Sequence, residues 1–278
     1  MGRFWKLFGG KQPVGPLPPD RFESRVLEIL KDRFGGSDFV PGTEELTVRF
    51  RGSVLGLRNL YALYTFEEPS EVDLVEMVVR HFEAVIATMA GKEGSAPPPW
   101  SEAAKIIRPQ FLPAEYVREA PAPLATIPFN PHISIGLVLD REEAYSYVRD
   151  EDLELWSVAF GEAMTQALRN LNSASGNLKM KGSDGPDRFV ACQALDGYDA
   201  VRILIPPLRA FLAERLGPVF YAGIPNRDFL ICWAQDCTPA FHSSVREKVR
   251  SDNAEQPYPL TPSILIVSAE KVTAEDAS

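Results

Sequence analysis

Apolar residues near the start of the chain recur at the spacing of an α-helix. The pattern runs through Phe22, Val26, Ile29 or Leu30, and Phe34. Such spacing places the apolar side chains on one face of a helix. Asp20, followed three residues later by Glu23, resembles a capping box, and Gly35 supplies a C-terminal stop. Together these signals predict a helix over residues 20–34.

Further segments carry the same helical period. Leu74, Val78 and Phe82 predict a second helix that begins after Ser70 and Asp73. Helical spacing also predicts helices over about residues 101–107, 160–171 and 239–249. Apolar positions between residues 201 and 216 keep the same period, although Pro206 and Pro207 must either kink or start that helix.

Alternating or continuous apolar runs predict the strands. Leu46, Val48 and Phe50 alternate with polar residues, which indicates a hairpin with residues 54–57. A second hairpin is predicted for residues 133–139 and 144–148. Two apolar runs at 219–224 and 229–233 predict buried neighbouring strands, joined by a polar turn at 225–228, and further strands are expected at 188–195 and 264–267. The predicted fold class is α+β, with mixed, mostly antiparallel sheets and helices packed on one face.

Proline-rich stretches suggest where the domains begin and end. We interpret residues 1–19 as a flexible basic tail and residues 20–90 as an N-terminal α+β subdomain. Residues 91–123 are predicted to be a Pro-rich linker with a short helix, because proline interrupts regular structure. A C-terminal α+β subdomain then covers 124–268, and 269–278 is predicted to be a second flexible tail.

Composition and charge limit the classes of function. The chain has 278 residues and a formal net charge of −9. An acidic chain is a poor candidate for binding nucleic acid through phosphate contacts, so no nucleic-acid partner is expected. No apolar run is long enough for a transmembrane segment. Cysteine is rare, and Cys192 and Cys232 lie in apolar runs, which indicates structural thiols and a reducing, cytoplasmic location.

The first residues combine aromatic and basic side chains. Phe4, Trp5, Lys6 and Phe8 stand close together before a pair of glycines. A disordered tail is the simpler interpretation. The alternative is a weak peripheral contact with a membrane surface or a partner groove, which liposome flotation with and without residues 1–12 would decide.

Histidines and acidic residues do not form a recognisable metal site. His81, His132 and His242 are far apart in the sequence, and the acidic stretches at 67–76 and 140–154 do not match an EF-hand loop. Solvated turns and helix starts explain the acids more simply. The sequence therefore predicts neither a metal nor another cofactor.

Several short blocks resemble one bacterial protein family. They are Leu57-Arg58-Asn59-Leu60-Tyr61, Ile107-Arg108-Pro109, Val148 to Trp156 with a later Arg169-Asn170-Leu171, Ile224-Pro225-Asn226-Arg227-Asp228 and Tyr258-Pro259-Leu260-Thr261-Pro262. In this order and spacing they are similar to the YtpQ-like proteins, a family of unknown function. The resemblance implies a cytosolic bacterial protein. It implies no catalytic residues.

Five polar residues are candidates for binding a ligand: Arg108, His132, Asn226, Arg227 and Asp228. Asn and Asp in the 225–228 turn also have a structural explanation, because both side chains bond to backbone amides in turns. Each arginine could hold a ligand anion or, as we favour, an internal carboxylate. His132 stands where a buried strand meets a loop, a common place for a binding site.

Two functions follow from these candidates. The preferred hypothesis is a non-catalytic interaction or ligand-binding module, whose partner is a protein or a small molecule. The alternative is a hydrolase-type enzyme with a polar cleft around Asn226, Arg227 and Asp228. The alternative requires Arg227 and Asp228 to face a cleft instead of pairing with each other.

Overall fold

The computed structural model describes residues 16–35, 38–42, 45–50, 53–67, 70–90, 97–120, 122–141, 144–194, 196–256 and 258–275. The chain divides into two compact units, Met1–Glu83 and Ala84–Ser278. The predicted α+β class is confirmed, since helices are combined with sheets whose strand pairings are antiparallel throughout the described residues.

The first unit combines helices with a three-stranded sheet of order β1-β2-β3. Its elements are α1 (Pro19–Phe34), β1 (Phe39–Pro41), β2 (Thr47–Phe50), β3 (Ser53–Gly56), α2 (Arg58–Glu67) and α3 (Glu71–Ala90), the last of which continues past Glu83. The first predicted helix and the β2–β3 hairpin are confirmed. Sequence reasoning missed α2, although Leu57, Leu60 and Tyr64 have helical spacing and are buried.

The end of the N-terminal Pro-rich segment is fixed by two tyrosines. The backbone N–H of Leu17 donates to the Tyr64 hydroxyl, and the Tyr61 hydroxyl donates to the Leu17 carbonyl, both at 3.0 Å. The prediction of a flexible tail through residue 19 is therefore wrong for its last residues, because paired backbone groups hold them. Residues 1–15 lie outside the described part of the chain, and so do Phe4, Trp5, Lys6 and Phe8.

The second unit contains a four-stranded and a six-stranded sheet. Its first elements are α4 (Trp100–Ile106), β4 (Ile107–Pro113), α5 (Ala114–Glu119), β5 (Thr126–Pro128), β6 (Ile133–Arg141), β7 (Ala144–Tyr147), α6 (Asp150–Trp156) and α7 (Phe160–Ala174). The remaining elements are β8 (Met180–Ser183), β9 (Phe189–Cys192), a 3-10 helix (Ala200–Leu204), α8 (Pro206–Leu216), β10 (Val219–Gly223), β11 (Leu230–Ala234), α9 (Pro239–Glu255), β12 (Ile264–Ser268) and β13 (Val272–Ala274).

One hydrophobic core joins both sheets of this unit. Phe111 and Ile133 from the four-stranded sheet belong to the same cluster as Phe220 and Trp233 from the six-stranded sheet. Helix α9 approaches β10 so closely that a Cβ on Gly223 would lie 2.5 Å from Val249 Cγ2. The predicted hairpins β6–β7 and β10–β11 are confirmed, and Pro206 starts α8 instead of kinking it.

The short helix predicted at about 101–107 is confirmed as α4, but the interpretation of residues 91–123 as otherwise a linker is wrong for residues 107–119, which form β4 and α5. Strand β4 pairs along its whole length with β6 and is largely buried. It lies at the edge of the sheet order β4-β6-β5. An edge strand tolerates Pro109 and Pro113, because the missing N–H groups can face away from the neighbouring strand. Proline content alone was therefore a misleading guide.

The predicted C-terminal tail also contains regular structure. Strand β13 pairs with β12, which contradicts the interpretation of 269–278 as flexible for residues 272–274. The segment was too short and too polar to stand out, and its pairing with β12 supplies the backbone hydrogen bonds. Residues 276–278 are outside the described part.

Candidate functional site

The turn between β10 and β11 is held by a second segment of the chain. Arg227 N donates to the Tyr258 carbonyl at 3.0 Å, and Leu260 N donates to the Pro225 carbonyl at 2.9 Å. Asn226 is buried, and its Oδ1 accepts from Asp228 N at 3.0 Å. Asp228 Oδ1 accepts from Gly197 N at 2.9 Å. Asn226 and Asp228 thus have the turn-stabilising roles that the sequence predicts for them.

The guanidinium of Arg227 lies next to two residues with positive φ, Tyr258 and Gly197. Its Cζ lies 3.7 Å from the centroid of the Tyr258 ring, close enough for a cation–π interaction. Tyr258 has a φ of 56°, which is rare for a bulky residue. Gly197 has a φ of 82°, and a Cβ there would lie 3.5 Å from Arg227 Nε. We call Arg227, Tyr258, Gly197, Asp228 and Tyr145 the Arg227 cluster.

The hydrogen bonds of Arg227 to Tyr145 and Asp228 are long for a side chain that is largely buried. Its side chain is only 18% exposed, yet Nη1 donates to the Tyr145 hydroxyl at 3.3 Å and Nη2 to Asp228 Oδ2 at 3.5 Å. The Nε–H is buried with no hydrogen-bond partner among the described residues. Burial by itself lowers the pKa of Arg227, but the fields of Tyr145, Asp228 and Tyr258 outweigh it and raise the pKa, so the group is charged.

Other arginines of the second unit are better satisfied. Buried Arg202 binds Asp196 through two nitrogens and also Asp199 at 3.0 Å. Buried Arg209 donates to three backbone carbonyls. Arg246 forms a bidentate pair with Glu275 at 2.6 and 2.8 Å. Within the described ranges, Arg227 therefore differs from these arginines in its longer hydrogen bonds and its unpartnered Nε–H.

The second candidate arginine adjoins this cluster. Arg108 Nη1 lies 2.8 Å from Asp140 Oδ2, and its Cζ lies 4.9 Å from the centroid of the Tyr198 ring. Asp140 and Tyr145 face each other in the β6–β7 pairing. Burial and then the charge of Asp140 raise the pKa of Tyr198, so its hydroxyl remains protonated. The structure thus places Asp140, the partner of Arg108, opposite Tyr145, a partner of Arg227, on neighbouring strands.

A row of tyrosines extends from the cluster towards the surface. The rings of Tyr145 and Tyr147 lie 5.5 Å apart, and those of Tyr147 and Tyr116 lie 5.2 Å apart. Tyr116 is exposed. Burial is the largest cause of the raised pKa of Tyr147, and the neighbouring tyrosines add to it. The row gives the cluster an aromatic border that reaches solvent.

His132 does not join the other candidates. It is exposed and precedes β6, whereas Arg108 pairs with Val138 farther along that strand. Six residues of strand separate these positions by about 20 Å. The sequence leaves open whether His132 shares a site with the two arginines, and the extended strand places it apart from them.

The favoured internal partners of the arginines are confirmed. Arg108 pairs with Asp140, and Arg227 pairs with Asp228, although the second pair is long. A hydrolase cleft would require Arg227 and Asp228 to face it separately. In the structure the two side chains lie beside each other instead. His242 accepts from Trp233 Nε1 at 2.9 Å, as a structural histidine does. In the described ranges no group of three His, Cys, Asp or Glu side chains could hold a metal ion.

Sequence reasoning found the turn but missed the residues around it. Tyr145, Tyr198 and Gly197 carried no motif, and Asp140 was noted only as part of an acidic stretch. Tyr258 belonged to one of the blocks that resemble the YtpQ-like family, which was the single signal that could have pointed to it. Contacts over 82 residues, such as that of Tyr145 with Arg227, cannot be seen in one sequence.

No family model, curated protein or solved structure matches this chain. Among the helices of the described residues, none has the length and apolar character needed to cross a membrane. The function must therefore be argued from the geometry of the Arg227 cluster itself.

Proposed function

We propose that this protein is a non-catalytic ligand-binding or interaction module that binds its partner through the Arg227 cluster. The observation that supports this proposal is the charged, largely buried guanidinium of Arg227, whose hydrogen bonds to Tyr145 and Asp228 are both at the long end of the range and whose Nε–H has no partner among the described residues. A buried donor without a partner is costly. A ligand that accepts from this guanidinium would add charge-assisted hydrogen bonds to it on binding.

The backbone around Arg227 supports the same proposal. A bulky residue with positive φ costs on the order of 1–3 kcal/mol and persists only when its surroundings impose it. Tyr258 holds such a conformation while its ring stacks on Arg227. Strain of this kind concentrates at binding sites, where it fixes a side chain before the ligand arrives.

The composition of the cluster also suits binding. Arginine and tyrosine are enriched among the residues that contribute most to protein interfaces. Here the two arginines are bordered by the row Tyr145, Tyr147 and Tyr116, whose outermost member is exposed. Rigid aromatic rings beside a fixed guanidinium give large contact area at a small cost in side-chain entropy.

We do not propose the hydrolase alternative. Asp228 accepts from Gly197 N and lies beside Arg227. Both oxygens of this carboxylate are thus engaged within the turn and its surroundings, which is a structural role. The arrangement binds charge better than it moves protons.

The family and location belong to the same proposal. The ordered sequence blocks support membership of the YtpQ-like proteins, and with it a bacterial source. The small number of cysteines and their burial as free thiols support a cytoplasmic protein.

Native mass spectrometry of the full chain isolated from its own cells tests the proposal. We expect the wild-type protein to retain a small molecule or a protein partner that Arg227→Lys loses, because lysine lacks the planar donor edge. Arg215→Lys is the matched control. Arg215 also pairs with an aspartate and lies over an aromatic ring, but it is exposed and outside the cluster.

Equal retention by Arg227→Lys and the wild type would contradict the role of the cluster. Repeated isolation of the protein alone, at its native concentration, would contradict the binding function as a whole.

A further inference from the structure

We infer that the Arg227 cluster binds a monocarboxylate, whose two oxygens accept from the Nη1 and Nη2 edge of Arg227. This inference rests on the proposed binding function and names the chemical class of its ligand. It concerns a free carboxylate group, as in a small organic acid or at the end of a peptide.

The donor geometry of Arg227 suits an oxyanion. A guanidinium has five N–H donors in a planar fork, and two parallel donors match the oxygens of a carboxylate. In Arg227 the bonds to Tyr145 and Asp228 are long, at 3.3 and 3.5 Å, and the Nε–H has no partner among the described residues. The Tyr145 hydroxyl accepts from Nη1, and its own proton can be donated to an acceptor beside the guanidinium.

The fold holds the guanidinium in place before any ligand binds. Tyr258 stacks on it, and the backbone of Arg227 is tied on both sides, since its N–H donates to Tyr258 and its carbonyl accepts from Ala200 N at 3.1 Å. Gly197 leaves the space beside the guanidinium free of a side chain, since a Cβ there would lie 3.5 Å from Arg227 Nε. A donor fixed in this way loses little conformational entropy on binding, which raises affinity.

The charges around the cluster favour a monoanion over a dianion. Asp228 Oδ2 lies 3.5 Å from Arg227 Nη2, and Asp140 lies opposite Tyr145 on the neighbouring strand. The two arginines and two aspartates sum to zero charge. Each additional negative charge on a ligand would be repelled by both aspartates, so a phosphate dianion is disfavoured relative to a carboxylate.

Asp228 acts as an internal competitor that is anchored independently of Arg227. Its Oδ1 accepts from Gly197 N at 2.9 Å, and its own N–H donates to Asn226 Oδ1. Replacement by asparagine keeps an oxygen for the Gly197 N–H and removes the negative charge. We therefore expect Asp228→Asn to bind a carboxylate more tightly than the wild type.

Proton–nitrogen NMR of the arginine side chains provides a direct test. The Nε–H of Arg227 is shielded from solvent, so its exchange with water is slow and its signal should be visible. The full chain is titrated with sodium acetate, with sodium phosphate, and with sodium chloride at matched ionic strength. Acetate should shift the Arg227 signal saturably, with a dissociation constant on the order of millimolar for so small a ligand.

Three variants separate the site from a general salt effect. Asp228→Asn should bind acetate about tenfold more tightly, because it removes a neighbouring like charge. Arg227→Lys should abolish binding, and Arg215→Lys should bind as the wild type does. The Arg215 signal, from an exposed arginine, should follow ionic strength alone.

The inference is overturned if acetate causes no saturable shift in either the wild type or Asp228→Asn, both of which retain Arg227. It is also overturned if phosphate binds more tightly than acetate. In either case a partner that is lost from Arg227→Lys in native mass spectrometry would leave the binding function standing, so the two failures are distinguishable.

Discussion

Tyr258 stacks on Arg227 at 3.7 Å while its own backbone has a φ of 56°. The stack and the positive φ occur at the same contact, because the Tyr258 carbonyl also accepts from the backbone N–H of Arg227. The cation–π contact of the ring is therefore expected to offset part of the free-energy cost of the positive φ.

Removal of the Tyr258 ring should destabilise the second unit. Tyr258→Ala loses the stack and the half-buried ring, and we expect a decrease of about 2–3 kcal/mol in the free energy of unfolding. Tyr258→Phe keeps the ring and should cost less than about 1 kcal/mol. Urea unfolding followed by tryptophan fluorescence measures both. Equal losses in the two variants would show that the hydroxyl, and not the stack, is important.

Gly197 should not tolerate a side chain. Gly197→Ala places a Cβ on a backbone with a φ of 82°, beside the Arg227 guanidinium. We expect a loss of about 1–2 kcal/mol of stability. Gly161→Ala is the control, because Gly161 is exposed in helix α7 and a Cβ there meets nothing within 4 Å. That variant should be neutral or up to about 1 kcal/mol more stable. Thermal unfolding compares the two, and similar effects would contradict the strained geometry.

Arg202 should be indispensable for stability. Its side chain is 1% exposed and pairs with Asp196 and with Asp199, which is fully buried. Arg202→Met leaves Asp199 without its cation, and breaking such a pair costs about 3–5 kcal/mol. Arg215→Met removes a surface pair with Asp184 and should cost at most about 1 kcal/mol. Urea midpoints test the contrast, which a small effect of Arg202→Met would refute.

The cysteines should be unreactive in the folded protein. Burial raises the thiol pKa of Cys192, Cys232 and Cys237, and Cys192 in addition donates to Asp199 Oδ1. The thiolate is the reactive form. An aromatic disulfide reagent at about pH 8 should therefore label all three thiols only when the chain unfolds. The rate of labelling should then be limited by the rate of unfolding. Rapid labelling of Cys192 or Cys232 under native conditions would contradict their burial.

Glu275 should contribute to stability at neutral pH and not in acid. The bidentate bond with Arg246 holds the pKa of Glu275 below its ordinary value. A carboxyl group with a lowered folded pKa stabilises the fold above its unfolded pKa, and this contribution is lost as the pH falls through the folded value. Because both side chains are partly exposed, we expect about 0.5–1 kcal/mol at pH 7.

Urea unfolding of Glu275→Gln at about pH 7 and pH 3 measures this contribution. The variant should be less stable than the wild type at the higher pH and nearly equal to it at the lower. Glu255→Gln, which changes an exposed carboxylate that accepts from Ser251, is the control and should show little difference at either pH. A constant deficit of Glu275→Gln at both values would exclude the charge as its cause.

Local patterns predicted the elements better than they predicted the site. Helix α1 and the hairpins follow from apolar spacing and turn residues, which act over a few neighbours. The roles of Asn226 and Asp228 within their turn followed from the same local chemistry. The stacking of Tyr258 on Arg227 and the approach of Tyr145 depend on how distant segments meet, and a single sequence does not record that.

The most instructive error concerns β4. Its prolines indicated a linker, whereas the strand is paired over its full length and buried. Ile107, Phe111 and Leu112 are apolar residues of the kind that a buried strand contains. The prolines between and after them obscure this pattern, because proline usually ends regular structure. That rule is weaker at a sheet edge, where one row of N–H groups has no partner to lose.

The same two prolines have a further consequence for the protein in a crowded cell. An open sheet edge normally offers a row of unpaired N–H groups on which another chain can form a strand. Pro109 and Pro113 interrupt that row on β4. Because β4 is buried in the folded protein, the prolines should act when the sheet edge is uncovered by partial unfolding, and should then keep β4 from pairing with foreign strands.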